Sequence, residues 1–298
     1  VDNVFPIAPV RQWVVTFPFD MRFRMAFDTE LCTQVLRVVN SCISSWIRRR
    51  ARDYLELQSV KGLQTGCVTF IQRWRSDLAL NPHLHILFID GVYIENDDEP
   101  PVFRAIPGPL RKDLEHVASR IAVRLRRIAG SEDSNSAVHE LAEAEPLLAA
   151  CGAASVQKRI ATGARAGQRV RTVHVPTQDE KAAVGGLCAQ VDGVNIHAGV
   201  RVPASDRGRL ERLVRYVARS PIAANRLRVD DNGDVIYELK RVWSDGSVAV
   251  RLSPVEFLEK LAALVPTVPV SVPDSGPSAV YGPAVFSQTG GHHEGRVA

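Results

Sequence analysis

Long apolar runs are missing from this chain of 298 residues. No stretch approaches the ~18 consecutive apolar residues of a spanning helix, so no membrane partner is expected. Cysteine is scarce. Cys32, Cys42, Cys67, Cys151 and Cys188 are scattered, with no Cys-x-x-Cys pair. That argues against a disulfide framework and a zinc site built on cysteine pairs, and fits a reduced, cytoplasmic setting. The opening VDNVFPIAPVRQW lacks a basic segment followed by an apolar one, so it does not read as a secretory leader. No internal repeat is found. Lysine is rare too: six of the 37 basic residues are lysine and the rest are arginine. The arginines cluster, at Arg48 to Arg50 with Arg52, at Arg124 with Arg126 and Arg127, and at Arg207, Arg209, Arg212 and Arg215. A planar guanidinium donates two parallel hydrogen bonds and suits phosphate. Solvated helix faces explain any single cluster equally well.

What is present suffices for a sizeable core, in one large domain or two small ones, since 45% of the residues are apolar. Val10–Phe17 is rich in β-branched and aromatic residues and reads as a strand ended by Pro18. From Asp28 to Leu55 apolar residues recur at helical spacing, with Asp28 or Thr29 as cap and the arginines near the negative end of the helix dipole. Gly66–Trp74 and His83–Val92 read as strands joined by a short antiparallel connection. Asp97–Pro101 reads as a loop, Pro109–Ile128 as a basic helix and Glu140–Ala154 as a shorter one. Gly163–Gly193 reads as partly irregular. Val194–Val202 alternates like a strand. Asp206 opens a helix that stops before Pro221. Hairpins follow around Asp231–Gly233 and Asp245–Gly246. Ser253, Pro254 and Glu256 open a last helix with a capping box. Residues 266–298 are Pro/Ser-rich and then aperiodic, and are expected to be a disordered tail. The sum is an α+β fold, mainly antiparallel sheet with flanking helices. Residues 1–265 form its domain, with about 97–193 inserted.

Within NPHLHILFIDGVY, His83 and His85 project from one face of a strand while Leu84 and Ile86 face the opposite core. Two imidazoles on a rigid strand could take two positions around a divalent cation, leaving others for water and substrate. Two ordinary strand histidines are the alternative. Tyr216 lies on a helix with Arg212 and Arg219 spaced to share its face. A tyrosine among arginines could attack phosphorus, with a metal polarising the phosphoryl oxygen and guanidiniums offsetting the developing charge. A half-buried helix tyrosine with solvated arginine flanks is the alternative.

Taken together these segments resemble the HUH-type nucleases, specifically the transposases of rolling-circle insertion sequences. WVVTFPF resembles the first motif of that family and NPHLHILFIDG the His–hydrophobic–His strand. LERLVRYVARSPIA resembles the helix bearing the nucleophilic tyrosine, and the order is the family's. VNIHAGVRVPASDRGRLERLVRYVARSPIA and ELKRVWSDGS extend the likeness, which covers roughly residues 1–265. The resemblance implies an HUH-nuclease-like fold and a transposase acting on single-stranded DNA at the ends of a mobile element in a bacterial, nucleoid-associated setting. Tyr216 would attack the scissile phosphate, form a 5′-phosphotyrosine and release a 3′-OH, and the ends would later be rejoined. His83 and His85 would hold Mg²⁺ or Mn²⁺. Gln72, on the neighbouring strand, is the preferred third ligand, and His197 the alternative. Arg212, Arg215 and Arg219 would contact phosphate.

The sequence departs from the family pattern in three places. Arg212 stands where many members have a second tyrosine, which makes this a single-tyrosine variant. Full-length members usually begin with a Cys-rich zinc module; these residues start after where it would lie, and their cysteines are not expected to replace it. The last residues look unrelated, and His292 and His293 among them read as incidental. A truncated remnant that binds DNA without cutting is therefore the alternative function. A metallohydrolase acting on a small molecule would need further ligands and an apolar pocket, and the arginine-rich surroundings argue against it.

Overall fold

A computed structural model of the protein describes residues 1–95, 100–130, 136–175, 186–265, 280–281 and 284–289. In chain order the elements begin β1 (Val10–Thr16), α1 (Phe19–Phe27), α2 (Thr29–Tyr54), β2 (Leu63–Trp74), β3 (Leu80–Ile89), β4 (Gly91–Ile94) and β5 (Val102–Ala105). Then come α3 (Arg111–Ala129), α4 (Ser136–Ala144), α5 (Pro146–Val156), β6 (Arg171–His174), β7 (Cys188–Val191), β8 (Val194–Val202) and α6 (Arg207–Val217). The remainder is β9 (Leu227–Val229), β10 (Val235–Glu238), β11 (Ser247–Leu252), α7 (Pro254–Leu264), β12 (Val280–Tyr281) and β13 (Ala284–Thr289).

The fold is α+β. An antiparallel sheet runs in the order β12-β13-β2-β3-β1-β8-β7, with β4 and β5 attached beside β2. A second antiparallel sheet runs β6-β11-β10-β9.

β3 is central and explains its own sequence. Leu84, Ile86 and Phe88 point to one face and pack with Val35, Val39 and Ile43 of α2 and with Leu114 and Ile121 of α3. Leu87 points to the other face, into a smaller cluster with Val10, Phe70, Val202, and Leu210 and Val217 of α6. A strand covered on both faces loses simple alternation and reads as a continuous apolar run. The histidines occupy the α6 side of that strand. Burying Leu210 and Val217 seats α6 on the sheet, each contributing roughly 1.5–3 kcal/mol. Asp28 caps α2 by accepting from Leu31 N at 2.8 Å. At α7 the capping box forms as expected, with Ser253 and Glu256 each accepting from the other's backbone N–H.

Several elements differ from the sequence expectation. After Pro18 the chain turns directly into α1, whose Met21 and Met25 are buried one turn apart. The single helix expected over Glu140–Ala154 is two, because Pro146 lacks the N–H that would continue α4 and instead opens α5. The region expected to be irregular supplies β6 to the second sheet and β7 to the first. β7 and β8 are joined at Asp192–Gly193, where φ is 48° and 79°, a two-residue turn with both central residues left-handed. α6 ends at Val217, so Arg219 lies beyond it. Within the segment expected to be a disordered tail, β13 pairs with residues 65–70 of β2. Strand addition at a sheet edge uses backbone groups and needs little apolar pattern. The rest of 266–298, with His292 and His293, and positions 96–99, 131–135 and 176–185 of the expected loop and insertion lie outside the described residues.

Candidate functional site

Register places the key side chains. Gln72 of β2 stands opposite His83 of β3, and His83 stands opposite Thr16 of β1. The next row holds Phe70, His85 and Val14. Directly opposed residues share a face of the sheet. His83, His85, Gln72 and Thr16 therefore open into one cleft of about 450 Å³, and Tyr216 and Arg219 line it from the α6 side, with Lys240.

The two histidines meet edge to face, with His83 Nε2 and His85 Nε2 3.2 Å apart. His83 Nδ1–H donates to the Asn81 carbonyl at 2.7 Å, which leaves a lone pair on its Nε2. The Gln12 amide donates to His85 Nδ1 at 2.8 Å, which puts the proton of His85 on Nε2. Burial lowers the pKa of both rings. For His83 desolvation is the main cause, opposed by the Asn81 contact and assisted by the charges of Arg22, Arg219 and Arg75. For His85 desolvation, then His83 and Arg219, push it down to about 3. Both imidazoles are thus neutral near pH 7, the form that coordinates metal.

Two neutral imidazoles and a glutamine amide open into the cleft, donor types that divalent cations accept. The two Nε2 atoms are close enough that one cation could be held by both. His85 would first move its proton to Nδ1, and the Gln12 amide would turn over so that its oxygen accepts it, the usual outer support of a ligating histidine. Among the described residues, no group of three or more His, Cys, Asp or Glu side chains is placed to hold a metal. Gln72 is buried, at 3% exposure. Its amide nitrogen donates to the Val217 carbonyl at 2.6 Å, so the amide oxygen is the atom available to a cation. The same bond ties β2 to the last turn of α6, directly after Tyr216.

His197 is not brought to the pair. Val14 stands between them, opposite His85 on one side and opposite His197 on the other. That separates the two histidines by two strand spacings, roughly 10 Å. The His197 ring lies instead against Gly186 and Gly199.

Tyr216 is 48% exposed. Its ring carries the Arg219 guanidinium 4.5 Å and the Lys240 ammonium 4.4 Å from its centroid. Of the three arginines expected to meet phosphate, Arg219 lines the cleft. Arg212 and Arg215 are exposed outside it, and Arg215 pairs with Glu211 one turn earlier. The arginine clusters of α2 and α3 do not line the cleft. Sequence reasoning missed Gln12, Arg75, Lys240 and Arg241. Lys240 and Arg241 lie in the segment ELKRVWSDGS, but only folding sets them across from α6.

No described helix is long and apolar enough to cross a membrane. Neither the comparison with curated proteins nor that with solved structures returns a match. A family profile described as "Putative transposase" matches residues 66–271, a span that holds both histidines, Gln72, Tyr216, Arg219 and Lys240. Since the match covers well over half of the chain, this protein belongs to that transposase family.

Proposed function

We propose that the protein is a transposase of the HUH type, which nicks and rejoins single-stranded DNA through a covalent tyrosine intermediate. The observation that carries this reading is the single cleft shared by Tyr216, Arg219, Lys240 and the neutral His83–His85 pair. Tyr216 Oη attacks the scissile phosphorus as its proton passes to solvent. The Tyr216 O–P bond forms and the P–O3′ bond breaks. The departing 3′ oxygen takes up a proton, leaving a 5′-phosphotyrosine and a 3′-OH. Attack by a 3′-OH on that linkage reverses the step and rejoins a strand. The number of phosphoester bonds is unchanged, so no external energy source is required.

His83, His85 and the Gln72 oxygen would hold Mg²⁺ or Mn²⁺, which when bound polarises a phosphoryl oxygen. Arg219 and Lys240 offset charge on the phosphate and flank the phenol ring. Gln12 and the Asn81 carbonyl aim the imidazoles. Gln72, through Val217, holds the end of α6 at the proper height above the sheet.

The test is covalent trapping. With Mn²⁺ and single-stranded oligonucleotides carrying an element end, the wild-type chain is expected to form a protein–DNA adduct. Tyr216→Phe is expected to bind the same DNA and form none. Equal adduct from Tyr216→Phe would remove Tyr216 as nucleophile. Binding with no wild-type adduct would leave a protein that holds DNA without cutting it.

A further inference from the structure

Beside the histidine cleft lies a second pocket of about 360 Å³, walled by the start of α1, the turn after α5 and the second sheet. Its cations are Lys158, Arg159, Arg169 and Lys260, and its carboxylates are Asp77 and Asp245. Both carboxylates are already engaged. Asp77 pairs with Arg75 at 3.3 Å, and Asp245 accepts from Ser247 N at 2.9 Å. Two aromatic rings face the same space. Phe19 is 50% exposed, unusual for a phenylalanine, and Trp243 is half-buried.

Two arginines stand against these rings, and one of them reaches the cleft. Arg22 lies 5.4 Å from the Phe19 ring centroid and Arg75 lies 5.2 Å from that of Trp243. Arg75 also lines the histidine cleft. Lys158 approaches Trp243 at 5.5 Å from the centroid. Burial lowers its pKa first and Arg75 next, while Asp77 and Asp245 pull the other way. Lys240 and Arg241 bridge the same short distance along the chain to Trp243. The two spaces thus carry cations on both sides of Arg75, with two aromatic rings in the second.

We propose that the Phe19–Trp243 pocket receives the unpaired nucleotides flanking the scissile phosphate, with bases on the two rings and phosphates on Lys158 and Arg169. Single-strand binding joins a basic track to aromatic platforms, because every base has a stackable face. Duplex DNA hides those faces, so the pocket selects unpaired strand. This assignment rests on the single-stranded DNA reading of the neighbouring cleft.

The test uses the full chain with a fluorescent oligothymidylate and, in parallel, an oligothymidylate carrying one 5-iodouracil for photocrosslinking. Trp243→Ala and Phe19→Ala are each expected to weaken binding by about tenfold, and Trp243→Phe to restore most of it. Lys158→Ala with Arg169→Ala is expected to reduce the salt slope of log affinity by about 1.4. Crosslinks are expected at Phe19 or Trp243. Wild-type affinity in both alanine variants, with circular dichroism melts unchanged and crosslinks confined to the Tyr216 side, would overturn this pocket while leaving the cleft reading intact. No oligothymidylate binding by wild type would overturn both.

Discussion

Gln72 holds α6 with one end of its amide and, in the proposed reading, a cation with the other, and Gln72→Glu separates the two. The nitrogen holds the Val217 carbonyl at 2.6 Å. A carboxylate there has no hydrogen to donate, so two acceptors face each other in a buried site. An unmade buried hydrogen bond costs about 1–3 kcal/mol. In metal-free urea denaturation, Gln72→Glu is therefore expected to lower stability by roughly that amount. The other end gains a charge where the cation would lie. Mn²⁺ at about a hundred times its dissociation constant adds about 2.7 kcal/mol to the folded state. The variant should reach that regime at lower Mn²⁺ than wild type, so added Mn²⁺ should restore most of the loss. Gln72→Leu, which keeps bulk and loses both functions, should be destabilised and gain less from Mn²⁺ than wild type, since His83 and His85 remain. The reasoning fails if Gln72→Glu is as stable as wild type without metal, or if Mn²⁺ stabilises wild type and Gln72→Leu equally. The first result would remove the clamp on α6, and the second would remove Gln72 as a ligand.

Other outcomes follow from the same geometry. His85 is held neutral in the fold at about 3 against an ordinary value of 6.5, so the unfolded chain binds its proton first as pH falls. Its contribution is fully present above about pH 6.5 and is lost below it. At pH 5.5 the loss for His85 alone should be about 1.4 kcal/mol, read from urea midpoints, and His85→Gln should flatten that part of the profile. Asp90 is buried and accepts from Arg11 at 2.9 Å through both oxygens and from Arg201 at 2.8 Å. Asp90→Ala leaves the Arg11 charge buried and unpaired, and should cost about 3–5 kcal/mol in denaturation. Arg219→Ala removes a cation 4.5 Å from the Tyr216 ring and should slow adduct formation more than it weakens DNA binding, as timed by gel against anisotropy. Equal losses in both would make Arg219 a binding residue only.

Much of the secondary structure is legible from side-chain type and local order. The strand period at Val194–Val202 and the capping box at Ser253 depend on near neighbours, and both are found where expected. The elements that were not legible turn on competing local signals. α1 follows a proline that reads as a strand end, and β7 hides in a glycine- and alanine-rich stretch whose Asp192–Gly193 turn was the available clue.

The sequence by itself determined that His83 and His85 share a strand face with core behind them, because side-chain alternation along a strand admits no other arrangement. It also determined that Gln72 could stand beside His83, since a short connection makes β2 and β3 antiparallel neighbours. Only tertiary structure decided that Tyr216, well over a hundred residues later, faces that pair, that His197 stands a strand too far away, and that Gln12 supports His85. Those relations are set by sheet order and by the seating of α6 through Leu210 and Val217. They are long-range packing outcomes, and no local period in the chain encodes them.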